Sequence, residues 1–351
     1  MIEDNENEAI SEQNVHQPTR KTKIFSWLIL GSFSVFFAEV VSGSDMFPYF
    51  NPWGIIAIMP LYTLHILVLG YVVFTIGKPR FYTLFLAGTI FGMYEAYITK
   101  VLWSPSWKDP LFLFGGVAVV ESIVLVLFWH PFWAFIIPLF AGENLLSNSN
   151  EIVNGLPDKA KKLLNSRRSY LLVPLFAFMA GMLQSGNSPD PGLSLLSGAS
   201  TLGFLIVLII VWRKVTKGEE YSLRQLLPSH KEFKVILSLL FLLYVTMGLV
   251  IQLEILPGLL PQLTIWMIYA ALFLLLYLHI KKSGKSPLPE TIQLNRPVTL
   301  TKLVILSLIF TFASVFFTAA GVGLVIMVLM WFGGGAFGIF LMVRTIRDLS
   351  V

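Results

Sequence analysis

The sequence predicts an all-α protein that crosses a membrane many times. Apolar residues make up 56% of its 351 residues and charged residues only 13%, whereas soluble proteins carry about 25% charged residues. The mean hydropathy of +0.75 comes from long apolar runs, many of which approach the ~20 residues that cross a bilayer as a helix. A polytopic transmembrane helical bundle is therefore the expected fold class.

About ten apolar runs have the length of a membrane-spanning helix, which is roughly 17–25 residues. In chain order, the predicted spans cover residues 23–43, 53–77, 81–103, 111–140, 169–186, 194–213, 233–252, 262–280, 301–320 and 322–343. The fourth run is too long for one straight crossing and contains Pro131 and Pro138, so we expect a kink or an interfacial extension there. Only a few residues around Gly321 separate the last two runs, so the sequence leaves open whether they form two spans.

The basic residues predict the orientation of these helices, because Lys and Arg collect in short cytoplasmic loops. If the N-terminus is inside and ten helices alternate in direction, every Lys and Arg except Lys100 and Lys108 falls in an inside segment. We therefore expect a protein integral to the cytoplasmic membrane, with both termini in the cytoplasm.

The predicted spans divide the chain into four regions. Residues 1–22 contain five acidic residues, which is typical of a disordered cytoplasmic tail and not of a cleavable signal peptide. Residues 23–141 hold helices 1 to 4, residues 142–168 form a cytoplasmic loop, and residues 169–351 hold helices 5 to 10. The loops are too short to fold as soluble domains.

Composition also excludes several classes of chemistry. The chain has no cysteine, so disulfides, thiolate metal sites and cysteine nucleophiles are excluded. Its net charge of +5 is explained by the basic loops, so nucleic acid is not an expected partner. No phosphate-binding loop or HExxH motif occurs. We predict no cofactor, and as partners the lipid bilayer and a small solute, ion or proton.

Ionisable residues in the middle of the predicted spans occur only in the first four helices. A charged group at the bilayer centre costs at least ~2.5–3.5 kcal/mol and marks a functional site by default. The candidates are Glu39 in helix 1, His65 in helix 2, Glu95 in helix 3, and Glu121 and His130 in helix 4.

Helix geometry brings most of these residues to a similar depth. At 1.5 Å per residue, Glu39, His65, Glu95 and Glu121 lie within a turn or two of one level, and Tyr62 shares a helix face with His65. We therefore predict a polar cluster inside helices 1 to 4. Its substrate-binding or proton-binding residues would be Glu39, Tyr62, His65, Glu95 and Glu121.

Three hypotheses account for such a cluster, and the sequence leaves them open. The first is a permease-like transporter of a small solute or ion, in which intramembrane glutamates take up and release protons. The second is an intramembrane metal-dependent hydrolase, so whether the protein is an enzyme stays undecided. The third is a non-catalytic membrane assembly or lipid-handling protein, in which polar side chains hydrogen-bond across helices for stability.

The hydrolase hypothesis requires a divalent metal, held by His65, Glu95, Glu121 and His130. Histidine and carboxylate ligands with one open position support metal-assisted hydrolysis. On an ideal helix, His130 faces away from Glu121, nine residues earlier, unless Pro131 changes the phase of the helix.

A short stretch around Glu95 allows a comparison with a known family of intramembrane enzymes. Residues 94–100 read YEAYITK, which is similar in part to the Glu-Glu-x-x-x-Arg motif of the glutamate-dependent intramembrane prenyl-protein endopeptidases. Here there is one glutamate and no arginine, and Val126 and Ala134 stand where the family has phenylalanine and asparagine around its histidines. The similarity keeps an enzyme as an alternative without assigning the chain to that family.

Overall fold

The fold is a bundle of α-helices with one small β-hairpin. The computed structural model describes residues 17–105, 109–166, 168–250, 255–284 and 298–350. The predicted tail over residues 1–22 lies mostly outside these residues, but its last part is helical. The first helix begins at Arg20, where the Thr19 side chain accepts a hydrogen bond from the Thr22 N–H at 3.2 Å and caps the helix. The all-α fold class is confirmed.

The described helices and strands follow one another along the chain with short connections. Their bounds are α1 Arg20–Val40, α2 Gly54–Ile76, α3 Phe81–Ile98, β1 Leu113–Phe114, β2 Val117–Ala118, α4 Val119–Leu146, α5 Glu151–Gly155, α6 Asp158–Asn165, α7 Ser169–Gln184, α8 Pro191–Thr216, α9 Leu223–Leu226, α10 His230–Leu249, α11 Leu259–Gly284, α12 Leu300–Ala319 and α13 Gly323–Leu349.

Each of the ten predicted spans overlaps one of these helices. Among the described residues, eight helices are long and apolar enough to cross a membrane, namely α1, α2, α4, α8 and α10 to α13. The other two are α3, which has 18 residues and includes Glu95, and the shorter α7, whose apolar part is Tyr170–Gln184. The last two predicted spans are separate helices, since α12 ends at Ala319 and α13 begins at Gly323.

The boundary between the third and fourth predicted spans was wrong. Helix α3 ends at Ile98 and not near residue 103, because Lys100 has a left-handed backbone with φ of 64°. Residues 111–118 do not begin a helix. There β1 pairs with β2 in antiparallel register, and the turn between them is made by Gly115 and Gly116, whose φ angles of 56° and 78° favour a tight hairpin turn.

The predicted cytoplasmic loop over residues 142–168 is also more ordered than expected. Helix α4 extends through its first residues to Leu146, and α5 and α6 occupy much of the rest. The buried Glu143 connects these parts, because its carboxylate accepts hydrogen bonds from the Ile152 N–H at 3.1 Å, in the first turn of α5.

Several helices contain π-helical turns, in which each N–H bonds to the carbonyl five residues earlier. These turns are Phe36–Val40 in α1, Gly54–Ile58 and Val72–Ile76 in α2, Leu125–Ile136 in α4, and Tyr244–Val250 at the end of α10. Pro131 lies inside the π-helical part of α4. Because proline lacks an N–H and interrupts the α-helical bonding pattern, the irregularity expected in the fourth span takes this form.

Helices α3 and α4 pack very closely at two glycines. A Cβ on Gly88 would lie 2.5 Å from the Cα atom of Pro131, and a Cβ on Gly92 would lie 3.0 Å from the Cα atom of Val126. Small residues permit this approach between membrane helices. The contact brings the side chains of α3 next to the π-helical part of α4.

Candidate functional site

The first part of the polar cluster is centred on Glu39, near the end of α1. One carboxylate oxygen of Glu39 accepts a hydrogen bond from the Tyr62 hydroxyl of α2, and the other accepts one from the Ser44 hydroxyl in the α1–α2 loop. Tyr62 is almost completely buried. Both oxygens of Glu39 are therefore satisfied by hydroxyl groups, one of them from the neighbouring helix.

The second part is a contact between Glu95 of α3 and His130 of α4. The Nε2 atom of His130 lies 3.1 Å from a carboxylate oxygen of Glu95, and both residues are buried. The Nδ1 atom of His130 lies 3.0 Å from the carbonyl oxygen of Leu125. Since a carbonyl oxygen only accepts hydrogen bonds, Nδ1 carries a proton.

This assignment fixes the number of protons that a favourable Glu95–His130 contact needs. With Nδ1 protonated, two arrangements are favourable. In one, Nε2 also carries a proton and faces a carboxylate; in the other, Nε2 is unprotonated and faces a protonated carboxyl group. In both cases the pair carries one further proton. The two facing atoms are close but not aligned as a hydrogen bond, so a rotation of the side chains is needed before the proton passes from one residue to the other.

The ring of Phe91 connects the two parts. Its centroid lies 5.4 Å from the ring of Tyr62, 5.9 Å from that of His130 and 4.7 Å from that of His65. The Tyr62 and His130 rings are stacked at 6.5 Å. Tyr62 therefore contacts both the Glu39 carboxylate and the His130 ring, and it joins the two acid–base pairs into one cluster.

His65 lies at the edge of this cluster, completely buried. Its Nδ1 atom is 2.7 Å from the carbonyl oxygen of Leu61 and is therefore protonated. Its Nε2 atom has no hydrogen-bond partner among the described residues. The sequence predicts both His65 and Tyr62 as hydrogen-bonding partners of the intramembrane glutamates. Tyr62 bonds to Glu39, whereas no hydrogen bond joins His65 to a glutamate among the described residues.

Glu121 is placed apart from the other glutamates. One of its oxygens accepts a hydrogen bond from the Leu111 N–H at 3.2 Å, and within the described ranges the other oxygen has no partner. Among the described residues, no hydrogen bond or ion pair joins Glu121 to Glu39, Glu95 or His130. The cause is the hairpin, which makes Val119 the start of α4 and so leaves Glu121 in its first turn.

The ligand set required by the hydrolase hypothesis does not assemble. Within the part of the chain that the structure describes, no group of three or more His, Asp or Glu residues has the geometry to hold a metal ion. Of the four suggested ligands, Glu95 and His130 are in contact, but Glu121 is not joined to them. These residues do not fit a divalent metal as a set.

Two polar residues of structural importance were missed by the sequence analysis. Ser44, which donates a hydrogen bond to Glu39, lies in the loop after α1. Apart from its position five residues after Glu39, nothing in the sequence indicates this contact. Glu143 was not considered because the predicted fourth span stopped at residue 140. It is 1% exposed, and the short polar stretch that follows it could have indicated a helix start needing a capping group.

A bundle of apolar helices around buried acid–base groups defines a polytopic integral membrane protein with an internal polar site. The chain belongs to an uncharacterized membrane protein family, whose sequence model matches residues 28–350. It is 36% identical over 255 residues to an uncharacterized protein of Archaeoglobus fulgidus, an alignment that covers 72% of this chain and 77% of that protein. No solved structure matches the chain at a significant level.

Proposed function

We propose that this membrane protein is a permease-like transporter, which couples movement of a small solute or ion to proton exchange at the Glu95–His130 pair. The observation that carries the proposal is the 3.1 Å contact between the two residues, in which His130 already donates from Nδ1 to a carbonyl. An intramembrane ionisable pair of this kind is typical of proton relays in transporters.

The Glu39–Tyr62 pair supports the same function. It supplies a second carboxyl group on a different helix, and Tyr62 lies between the two pairs through its contact with the His130 ring. A change in the protonation of one carboxyl group alters the charge felt by the other, because water does not screen charges in the protein interior. Two coupled carboxyl groups provide one site for the proton and one for a cationic or polar solute.

The proposal includes a location and an orientation. We infer that the protein resides in the cytoplasmic membrane with both termini inside, which follows from the basic residues of the loops. In that orientation the α1–α2 loop with Ser44 faces the outside, and Glu39 and Glu95 lie in the outer half of the bilayer. The cluster would then exchange protons with the external medium.

The test uses purified protein reconstituted into liposomes on a solid-supported membrane, with a pH difference across the bilayer. A panel of amines, amino acids, carboxylates and sugars is applied in turn, and the charge displaced is recorded. We expect at least one solute to evoke a current that depends on the pH difference, and Glu95→Gln to abolish that current. Gln keeps the shape of the side chain but cannot release a proton.

The control is Glu232→Gln, which removes a partly exposed carboxylate paired with Lys23 at 2.5 Å and should leave the current unchanged. Thermal unfolding of each variant shows whether it is folded. A folded Glu95→Gln protein that carries the same pH-dependent current as the native protein would refute the proposal, as would the absence of a current for every solute in the panel.

A further inference from the structure

Four tyrosines form an aromatic cluster between α3, α10 and α11, next to the acid–base site. Tyr94 lies 5.3 Å from both Tyr244 and Tyr269, measured between ring centroids, and Tyr97 lies 5.0 Å from Tyr244. Tyr94, Tyr244 and Tyr269 keep part of their surface exposed. Part of the surface of the cluster is therefore exposed at the outside of the described bundle.

This aromatic cluster is continuous with the acid–base site. The ring of His65 lies 5.4 Å from that of Tyr94 and 4.7 Å from that of Phe91. Phe91 in turn contacts His130. A molecule held by the tyrosines would be separated from the Glu95–His130 pair by two rings, those of His65 and Phe91.

Three buried polar atoms at the cluster have no hydrogen-bond partner among the described residues: Nε2 of His65, Oε1 of Gln262 and the Tyr269 hydroxyl. The hydroxyl oxygen of Tyr269 can accept a hydrogen bond, as the other two atoms can. Nδ1 of His65 donates to the Leu61 carbonyl, so Nε2 of the neutral ring is an acceptor without a partner. Gln262 of α11 donates from Nε2 to the Tyr97 hydroxyl at 2.7 Å, and its Oε1 atom has no donor. Buried polar atoms normally have partners, and lipid chains cannot supply them.

The missing partner is thus a hydrogen-bond donor, and the surrounding rings add a second requirement. The faces of tyrosine rings attract cations, most strongly where water is excluded. A cation that also carries N–H groups satisfies both the unpaired acceptors and the ring faces. Tyr269 and Gln262 are seven residues apart on one face of α11, which gives the cluster a length of roughly 10 Å along the helix.

We propose that this cluster, formed by His65, Tyr94, Tyr97, Tyr244, Gln262 and Tyr269, binds an organic ammonium ion with free N–H groups. The inference names the substrate class of the transporter proposed above and rests on that function. The ammonium donates to Gln262 and His65, while the tyrosine rings surround its apolar part. From there the cation reaches the carboxylates of the neighbouring site.

Binding to the purified protein in detergent tests the proposal without any flux measurement. Isothermal titration calorimetry is carried out with three probes of similar size: benzylamine, which is a cation with N–H donors; benzyltrimethylammonium, a cation without them; and benzyl alcohol, which is neutral. We expect benzylamine to bind most tightly and benzyl alcohol most weakly. Benzylamine binding no tighter than that of the alcohol would overturn the proposal.

Substitutions then separate the two interactions. Gln262→Leu removes the acceptor and should weaken the binding of benzylamine by about tenfold, because one hydrogen bond to a charged group is lost. The binding of benzyltrimethylammonium should change little. Tyr269→Leu removes an aromatic ring and should weaken the binding of both cations. Tyr277→Leu is the matched control, because Tyr277 is on the same helix but 60% exposed. This variant should bind all three probes as tightly as the native protein does.

The outcomes also separate this proposal from the proposed function. Benzylamine binding that is undiminished in Gln262→Leu and Tyr269→Leu would overturn the site, whatever the currents show. A pH-dependent current evoked only by carboxylates or sugars would overturn the substrate class but support the transporter. Specific benzylamine binding in a protein that carries no current would support the site and refute transport.

Discussion

The first four helices and the last four differ in how much protein surrounds them. In the most apolar 18-residue stretch of α1, α2 and α4, 61%, 56% and 67% of the residues are buried, but in α10 and α12 the share is only 17%. Side chains such as Phe241 and Leu308 are about two-thirds exposed on these outer helices. This difference indicates that the acid–base groups lie in the part of the bundle where they are surrounded by protein and not by lipid.

Two histidine–carboxylate pairs repeat this contrast on a smaller scale. His130 of α4 and Glu95, in the last turn of α3, face each other at 3.1 Å. His279 of α11 lies 3.9 Å from Asp348, near the ends of α11 and α13, and its Nε2 atom contacts the Thr345 carbonyl. Asp348 is also paired with Lys282 at 3.2 Å, so its charge is already balanced.

The largest difference between the two pairs should appear in transport. His130→Gln is expected to abolish the pH-dependent current, because the amide cannot take up the proton that the pair holds. His279→Gln should leave that current unchanged, since Gln still donates to the Thr345 carbonyl. Liposome currents and thermal unfolding of both variants provide the measurement. Equal losses of current in the two folded variants would mean that the inner pair has no special role.

The next effect concerns packing of the inner helices. Gly88→Ala places a methyl group 2.5 Å from the Cα atom of Pro131, and overpacking of this kind costs about 1–3 kcal/mol of unfolding free energy. Gly203→Ala, in α8, meets nothing within 4 Å and should be neutral or stabilising by up to about 1 kcal/mol. Denaturation in detergent compares the two. A Gly88→Ala protein as stable as Gly203→Ala would show that α3 and α4 are not in close contact.

A smaller loss of stability is expected where the inner helices meet the α4–α7 loop. Glu143→Ala leaves the Ile152 N–H without its acceptor and should lower the free energy of unfolding by about 1–2 kcal/mol. Glu151→Gln, which breaks only an ion pair with Arg224 at 2.8 Å, should cost less than about 1 kcal/mol. Thermal unfolding distinguishes them, and a reversed order would indicate that Glu143 does not cap α5.

The smallest effect should come from the surface helix α6. A hydrogen bond from Lys161, with the attraction of its charge, holds the pKa of the Asp158 carboxyl below its usual value. A lowered pKa in the folded state stabilises α6 above the carboxyl group's ordinary pKa, and this support is lost as the pH falls through the lowered value. The protection of the α6 amides, meaning their exchange rates relative to those of the unfolded chain at the same pH, should therefore fall at acidic pH in the native protein but not in Asp158→Asn. An identical pH response in the two proteins would contradict this.

The fold class and the approximate positions of the spans could be predicted because the length of the apolar runs indicates both. The hairpin at residues 113–118 could not, since its apolar residues Leu113, Phe114 and Val117 resemble the start of a helix, and only the conformation of Gly115 and Gly116 identifies the turn.

The site could be predicted only in part. Burial in the bilayer singled out Glu39, Glu95 and His130, and the structure brings each into a polar pair. The sequence also predicts Tyr62 as a hydrogen-bonding partner of the glutamates, and it bonds to Glu39. No hydrogen bond joins Glu121 to the other glutamates among the described residues, because helical spacing alone takes no account of the hairpin before α4.

The long π-helical part of α4, Leu125–Ile136, has a consequence for how this site is inherited. One residue more or less in a helix rotates everything beyond it by about 100°. A single-codon deletion between Leu125 and His130 would therefore turn the imidazole away from α3 while every chemical group of the site was retained. In comparisons among relatives, a gap in this segment would signal loss of the pair as clearly as replacement of the histidine itself.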